Sequence, residues 1–200
     1  MADLMQMLSS QVLGSGTVDA LSDRLGEDRD STARALSGAV PVLLGGLARN
    51  ASTSGEAASL ASALDRDHDG SVLDDVAGFL RGADASQGEG ILRHVLGDRR
   101  PAVEQSISRS SGMDIAKVGQ LLAMVAPLVL GLLGRQKRSQ GLDIGGLASM
   151  LGGARQEMEQ RQPGTASMLG SLLDRDGDGS AADDVADIGG RLLGGLFKKR

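Results

Sequence analysis

Two short acidic segments carry the residue types that could bind a metal ion. One reads LDRDHDGSVLDDVA and begins at Leu64; the other reads LDRDGDGSAADDVA, begins at Leu173, and differs at only three positions. Both contain D-x-D-x-D-G, the pattern that opens an EF-hand-type calcium loop. In such a loop the carboxylates at alternate positions converge because the chain wraps round the ion, and a hard cation takes six to eight oxygens.

The spacing assigns each acidic turn an equivalent set of candidate ligands. Positions one, three and five are aspartates, position six is the glycine of the sharp turn (Gly70 or Gly179), and position seven is a serine. An EF-hand closes with a bidentate glutamate at position twelve, where this chain has Val76 and Val185, so a later aspartate would have to close the loop. The candidate metal ligands are Asp65, Asp67, Asp69, Ser71, Asp74, Asp75, Asp174, Asp176, Asp178, Ser180, Asp183 and Asp184.

The missing glutamate predicts weak binding of calcium or a similar divalent cation, in the range of roughly 0.1–1 mM. A metal-free interpretation stays open, because Ser71 and Asp74 also fit a capping box at the start of a helix. That interpretation leaves the three preceding aspartates unexplained, since clustered carboxylates repel one another unless a positive group lies between them. Arg66 and Arg175 could supply part of that charge.

Composition excludes several classes of protein. The 200 residues contain no cysteine, which rules out disulfides and thiolate metal sites, and only two histidines, His68 and His94. The net charge of −5 disfavours nucleic-acid binding, which needs a basic face. The chain contains none of the nucleophile, phosphate-binding or dinucleotide-binding motifs of common enzymes, so we expect a protein that is not an enzyme. The N-terminus lacks the basic start of a secretory signal, and we expect a cytoplasmic protein.

Apolar periodicity predicts an all-α protein, a multi-helix array with an internally duplicated helical hairpin. The segments that begin at Val18 and Val103 share a plan: a short amphipathic helix, a polar turn, and a longer apolar helix with one proline, Pro41 or Pro127. Leucines and valines recur at helical spacing in both long helices, and the second of them is apolar nearly all round. That pattern is typical of a central buried helix.

Residues 118–134 also raise the question of a membrane span. They are uncharged over 17 residues, close to the shortest length that crosses a bilayer, and the basic run RQKR follows them. The first copy of the hairpin is too polar to cross a membrane. By analogy we interpret the second as a buried helix, and we expect no membrane partner.

Three regions follow from this pattern. We predict a helical domain over residues 1–135, a linker with one short helix over residues 136–164, and an acidic-turn helical hairpin as a C-terminal extension over residues 165–200. Asp143 is predicted to cap the short helix, and ARQEMEQRQPG is predicted to be a linker.

Four segments together resemble the YidB-like family of bacterial domains of unknown function. They are VPVLLGGLARNAS, DGSVLDDVAGFL, GILRHVLG and LLAMVAPLVLGLLGRQ, and they span roughly residues 1–135. The resemblance implies an all-helical array and a bacterial origin, and it implies no catalytic residues. Two hypotheses therefore remain for the function: a helical protein with acidic turns that bind a divalent cation, or a metal-free module that associates with itself or with another protein.

Overall fold

The computed structural model describes residues 7–82 and 85–161. Within them lie eight α-helices and no β-strand, which confirms the all-α prediction for that part of the chain. A π-helical turn, Leu8–Val12, precedes the helices, and 3-10 turns lie at Ser71–Leu73 and Gly97–Arg99. The α-helices are α1 Ser15–Leu25, α2 Arg29–Asn50, α3 Ser54–Arg66, α4 Val76–Gly82, α5 Ala85–Leu96, α6 Arg100–Ser111, α7 Ile115–Ser139 and α8 Ile144–Arg161.

Helix α7 is the centre of the array. It is buried from Val118 to Gly134 except at Gln120, and α2, α5 and α6 pack around it. By length and composition α7 could cross a membrane, with a mean hydropathy of 1.9 over its most apolar 18 residues. However, 78% of that window is buried inside the fold, as in the core helix of a globular protein.

The two predicted hairpins have the same local plan. Each short helix ends at a glycine with positive φ, Gly26 at 63° or Gly112 at 79°, a conformation that glycine adopts without strain. Two residues later an aspartate caps the long helix, because its carboxylate accepts a backbone N–H: Asp28 from Ser31, and Asp114 from Ala116. That the hairpins arose by duplication stays a prediction.

Both long helices run without a break through their internal prolines, Pro41 and Pro127. The hydrogen bonds that proline removes are therefore lost without ending the helix, since burial on several sides holds the backbone in place.

The last described helix, α8, is longer than the sequence predicted. It begins after Asp143, whose carboxylate accepts the Gly146 N–H at 2.7 Å as expected of a cap, and it ends at Arg161. Much of the stretch that was predicted to be a linker is thus helical, because Ala, Arg, Gln, Glu and Met favour helix even where little is buried. Leu147 and Leu151 are buried where α8 packs on α2 and α3. The predicted extension over residues 165–200 lies outside the described residues.

Glycine sets the closest approach in the core. A Cβ added at Gly88 of α5 would collide with the backbone carbonyl of Ala123 in α7, whereas a Cβ at Gly90 of the same helix would meet nothing. The absence of a side chain at Gly88 therefore lets these two helices pack backbone to backbone.

We expect Gly88→Ala to destabilise the fold by about 1–3 kcal/mol or more, because the α5–α7 backbones must separate. Gly90→Ala is the matched control, and it should be neutral or stabilise by up to about 1 kcal/mol through helix propensity. Urea unfolding followed by circular dichroism measures both. Equal effects of the two substitutions would contradict the close packing at Gly88.

Candidate acidic-turn site

The first acidic turn joins α3 to α4 and lies against the last turns of α7. Gly70 has a φ of 88°, and a Cβ there would lie 2.9 Å from the Arg135 Cβ. On α7, a Cβ at Gly131 would meet the Val72 side chain, and a Cβ at Gly134 would collide with the His68 carbonyl. Three glycines thus let the backbone of the turn sit directly on the helix.

Two basic residues of α7 neutralise two of the aspartates. The Lys137 ammonium donates to both carboxylate oxygens of Asp65, at 2.6 and 2.7 Å. Arg135 pairs with Asp74 at 2.5 Å and also donates to the Gly70 carbonyl at 2.7 Å. The Lys137 side chain is only 13% exposed, so its pair with Asp65 is better shielded from water than an ordinary surface ion pair.

Asp69 and Ser71 form a local turn. The Ser71 amide donates to the Asp69 carboxylate at 2.9 Å. Hydrogen bonds from Ser71, assisted by the nearby charges of Arg138 and Arg135, lower the pKa of the Asp69 carboxyl below its usual value. Asp69 therefore stays ionised at neutral pH, held by its own chain and by α7.

Asp75 caps the helix that leaves the turn. Its carboxylate accepts the Gly78 N–H at 2.7 Å, directly before α4 begins at Val76. The sequence had suggested Ser71 as the cap and Asp74 as its partner. Asp74 instead faces Arg135, so the capping aspartate is the next one along.

Asp67 remains as the one candidate ligand of this turn whose side chain makes no contact within the described part of the chain. It is exposed, and Asp65, Asp69, Ser71, Asp74 and Asp75 each have the hydrogen bonds or ion pairs given above. Among residues 7–82 and 85–161, no three His, Asp or Glu side chains are grouped so that they could hold a metal ion. Calcium binding by this turn stays a prediction.

The candidate ligands of the second turn, from Asp174 to Asp184, lie outside the described residues. Their assignment to a metal stays a prediction as well.

The partners of the aspartates were the part that the sequence did not reveal. Arg66 was expected to compensate the turn, but its guanidinium donates back to the Ser62 carbonyl of α3 at 3.4 Å. The compensating charge comes from Arg135 and Lys137, in the RQKR run that had suggested the flank of a membrane span. The only available signal was the opposite charge of these two segments.

The two histidines have different surroundings. His68 is half-buried under α7, and burial lowers its pKa, while Asp67 opposes that shift in part. His94 is exposed, and its ring lies 3.4 Å from the Gly90 carbonyl of its own helix. Neither contact set joins a nucleophile to a base.

Comparison with known proteins identifies a family. The model of a family described as a bacterial protein of unknown function, DUF937, matches residues 6–136. That match covers most of the chain and confirms the family resemblance inferred from the four quoted segments. Neither the curated proteins nor the solved structures contain a match to this chain.

We expect Lys137→Gln to lower the free energy of unfolding by about 1 kcal/mol, because a largely shielded ion pair with Asp65 is lost. Arg138→Gln removes the same charge one residue later, from an exposed side chain without an ion pair, and should change stability by less than about 0.5 kcal/mol. Urea unfolding measures both variants. If Lys137→Gln lowers stability equally in native and Asp65→Asn backgrounds, the two side chains are not coupled and the assigned pair is wrong.

Proposed function

This chain belongs to the DUF937 family of bacterial proteins of unknown function, and we propose that it is a non-enzymatic helical module that associates with a second copy of itself. The observation that carries the proposal is the outer face of α8. Gly145, Ser149 and Gly152 follow one another at helical spacing, and all three are exposed.

The other glycines of the array explain why this face matters. Gly46, Gly88 and Gly134 sit where another segment's backbone passes close by, and a Cβ at any of them would collide with it. A Cβ at Gly152 would meet nothing within 4 Å. A glycine inside a helix costs roughly 1 kcal/mol relative to alanine. Where glycines elsewhere repay that cost by close packing, the exposed face of α8 fits a second helix that approaches as closely.

The buried polar side chains support a role without catalysis. The hydroxyls of Ser22, Thr32 and Ser111 donate to backbone carbonyls one turn earlier in the chain, to Val18, Asp28 and Ile107 respectively. A hydroxyl that serves its own helix in this way is not held beside a base that would activate it. A cytoplasmic location, without a nucleic-acid or membrane partner, is part of the same proposal.

Weak binding of calcium or a similar divalent cation by the two acidic turns is the second candidate function. The left-handed Gly70 and the Asp69–Ser71 hydrogen bond favour it, since a D-x-D-x-D-G loop needs this sharp turn to bring its carboxylates together. In the first turn an ion would have to displace Lys137 or Arg135 from Asp65 or Asp74. This competition favours an affinity at the weak end of the range or below it.

Sedimentation velocity at increasing protein concentration tests the self-association. We expect the native chain to form a dimer, and Gly152→Leu to shift it toward monomer because the larger side chain blocks close approach. Leucine favours helix over glycine, so the variant should fold at least as well. Gly16→Leu, at an exposed glycine of α1, is the control and should leave the dimer intact. A native chain that stays monomeric at all concentrations would show the self-association proposal to be wrong.

Calorimetric titration with calcium tests the second candidate. If the turns bind the ion, Asp67→Asn combined with Asp176→Asn should abolish the heat, because both variants remove the third-position carboxylate. Lys137→Gln should strengthen binding by removing the competing ammonium, and Arg138→Gln is its charge-matched control. No heat at millimolar calcium, or heat that survives the double aspartate variant, would reject these ligands.

A further inference from the structure

Two arginines at the end of α2 lie side by side without a carboxylate partner. Arg49 is half-buried, and its guanidinium donates to the Val95 carbonyl at 3.5 Å, while Arg99 repels it from the neighbouring 3-10 turn. Glu56 attracts Arg49 only at longer range and forms no ion pair with it. Within residues 7–82 and 85–161, neither Arg49 nor Arg99 has a salt bridge. We call these two residues the arginine pair.

Arg49 occupies the same place on α2 that Arg135 occupies on α7. Each lies 21 residues after the capping aspartate of its helix and eight residues after the internal proline. Each also donates to a backbone carbonyl at a corner between two shorter helices, Val95 for Arg49 and Gly70 for Arg135. The difference is that Arg135 also has a carboxylate, Asp74, whereas the corner next to Arg49 presents Arg99.

From this difference we infer that the second acidic turn, residues 173–184, docks on the arginine pair within the same chain. The turn carries five aspartates and one arginine, a net charge of −4, and it repeats the sequence of the turn that Arg135 and Lys137 bind. Charge complementarity and the precedent in the same molecule both favour this occupant. It shares the aspartates of the second candidate function, but it needs no metal ion.

The path of the chain places the turn within reach. Helix α8 begins close to the end of α7, where the first acidic turn lies, and it packs along α3. Because α3 ends at that turn and starts directly after α2, an α8 that is about 27 Å long runs back toward the end of α2. Twelve residues separate Arg161 from Asp174, and they can span at most roughly 40 Å. The arginine pair is therefore an accessible site for the second turn.

The mode of docking follows from chemistry already seen in the first turn. A guanidinium that caps a corner carbonyl with one nitrogen has further N–H groups directed outward, and these can bind a carboxylate in two-point geometry. Asp183 and Asp184 correspond to Asp74 and Asp75 of the first turn, so Asp183 is the counterpart of the aspartate that Arg135 binds. Ala181 and Ala182 replace Val72 and Leu73, so apolar packing contributes less and electrostatic attraction contributes more.

Paramagnetic relaxation enhancement tests the inference on the full chain. The chain has no cysteine, so Ser52→Cys, at an exposed residue three positions after Arg49, gives a single site for a nitroxide label. We expect the amide signals of residues 174–184 to be broadened. Arg49→Gln with Arg99→Gln should remove the broadening, and added salt should weaken it because interactions between exposed charges are screened.

Two further variants guard against a trivial loss of signal. Arg109→Gln removes an exposed arginine from the far end of α6, about 16 Å from Arg99 along the helix, and should leave the broadening unchanged. Asp183→Asn with Asp184→Asn changes only the tail, and should abolish the broadening while the signals of residues 7–82 and 85–157 stay in place.

Three results would overturn the inference. They are native signals of residues 174–184 without broadening, broadening that survives both the arginine and the aspartate variants, and broadening that arises only between a spin-labelled chain and a separate isotope-labelled chain. The last result would mean that the turn docks on a second copy. Loss of the dimer in sedimentation leaves this contact unaffected, so failure of the proposed self-association and failure of this inference are distinguishable.

Discussion

The structure depends on how short helices end inside a closely packed array. The last carbonyls of a helix have no partner within it, and burying them unpaired would cost about as much as a lost hydrogen bond. Here, cationic side chains from the two long helices supply the missing donors. The four contacts are Lys117 with the Gly26 carbonyl, Arg34 with Ser111, Arg135 with Gly70, and Arg49 with Val95.

These contacts cross between the two hairpins. The short helix α1 is capped by Lys117 from α7, which belongs to the other hairpin, and α6 is capped by Arg34 from α2. Neither hairpin supplies these donors for itself, so each completes the polar contacts of the other. The arrangement explains how a chain with so few aromatic residues can hold eight helices in one array: glycines bring the backbones together, and long basic side chains satisfy the helix ends that close packing leaves.

Local signals made most of the helices predictable. Apolar periodicity located α2 and α7, and the aspartates that cap α7 and α8 could be recognised from their position before an apolar run. The partners of the acidic turn could not be, because Asp65 and Lys137 are 72 residues apart and nothing local relates them. Likewise, the polarity of residues 154–161 suggested a linker, although their helix propensity outweighs their lack of buried surface. The boundary of α8 was missed because propensity and burial gave opposite signals.

The acidic turns show why one sequence pattern need not carry one chemistry. Five aspartates in eleven residues need positive charge nearby, and on sequence grounds a bound cation was the simplest source. In the first turn, part of that charge belongs to the protein: Lys137 and Arg135 stand where they reduce the repulsion, and the backbone of the turn lies on Gly131 and Gly134 so that their side chains can reach it. A nearly identical turn elsewhere in the chain cannot use the same two cations while the first turn holds them. Its aspartates need another source of positive charge, and which source they find, a divalent ion or a basic helix end, decides whether this segment is a metal site or a docking element.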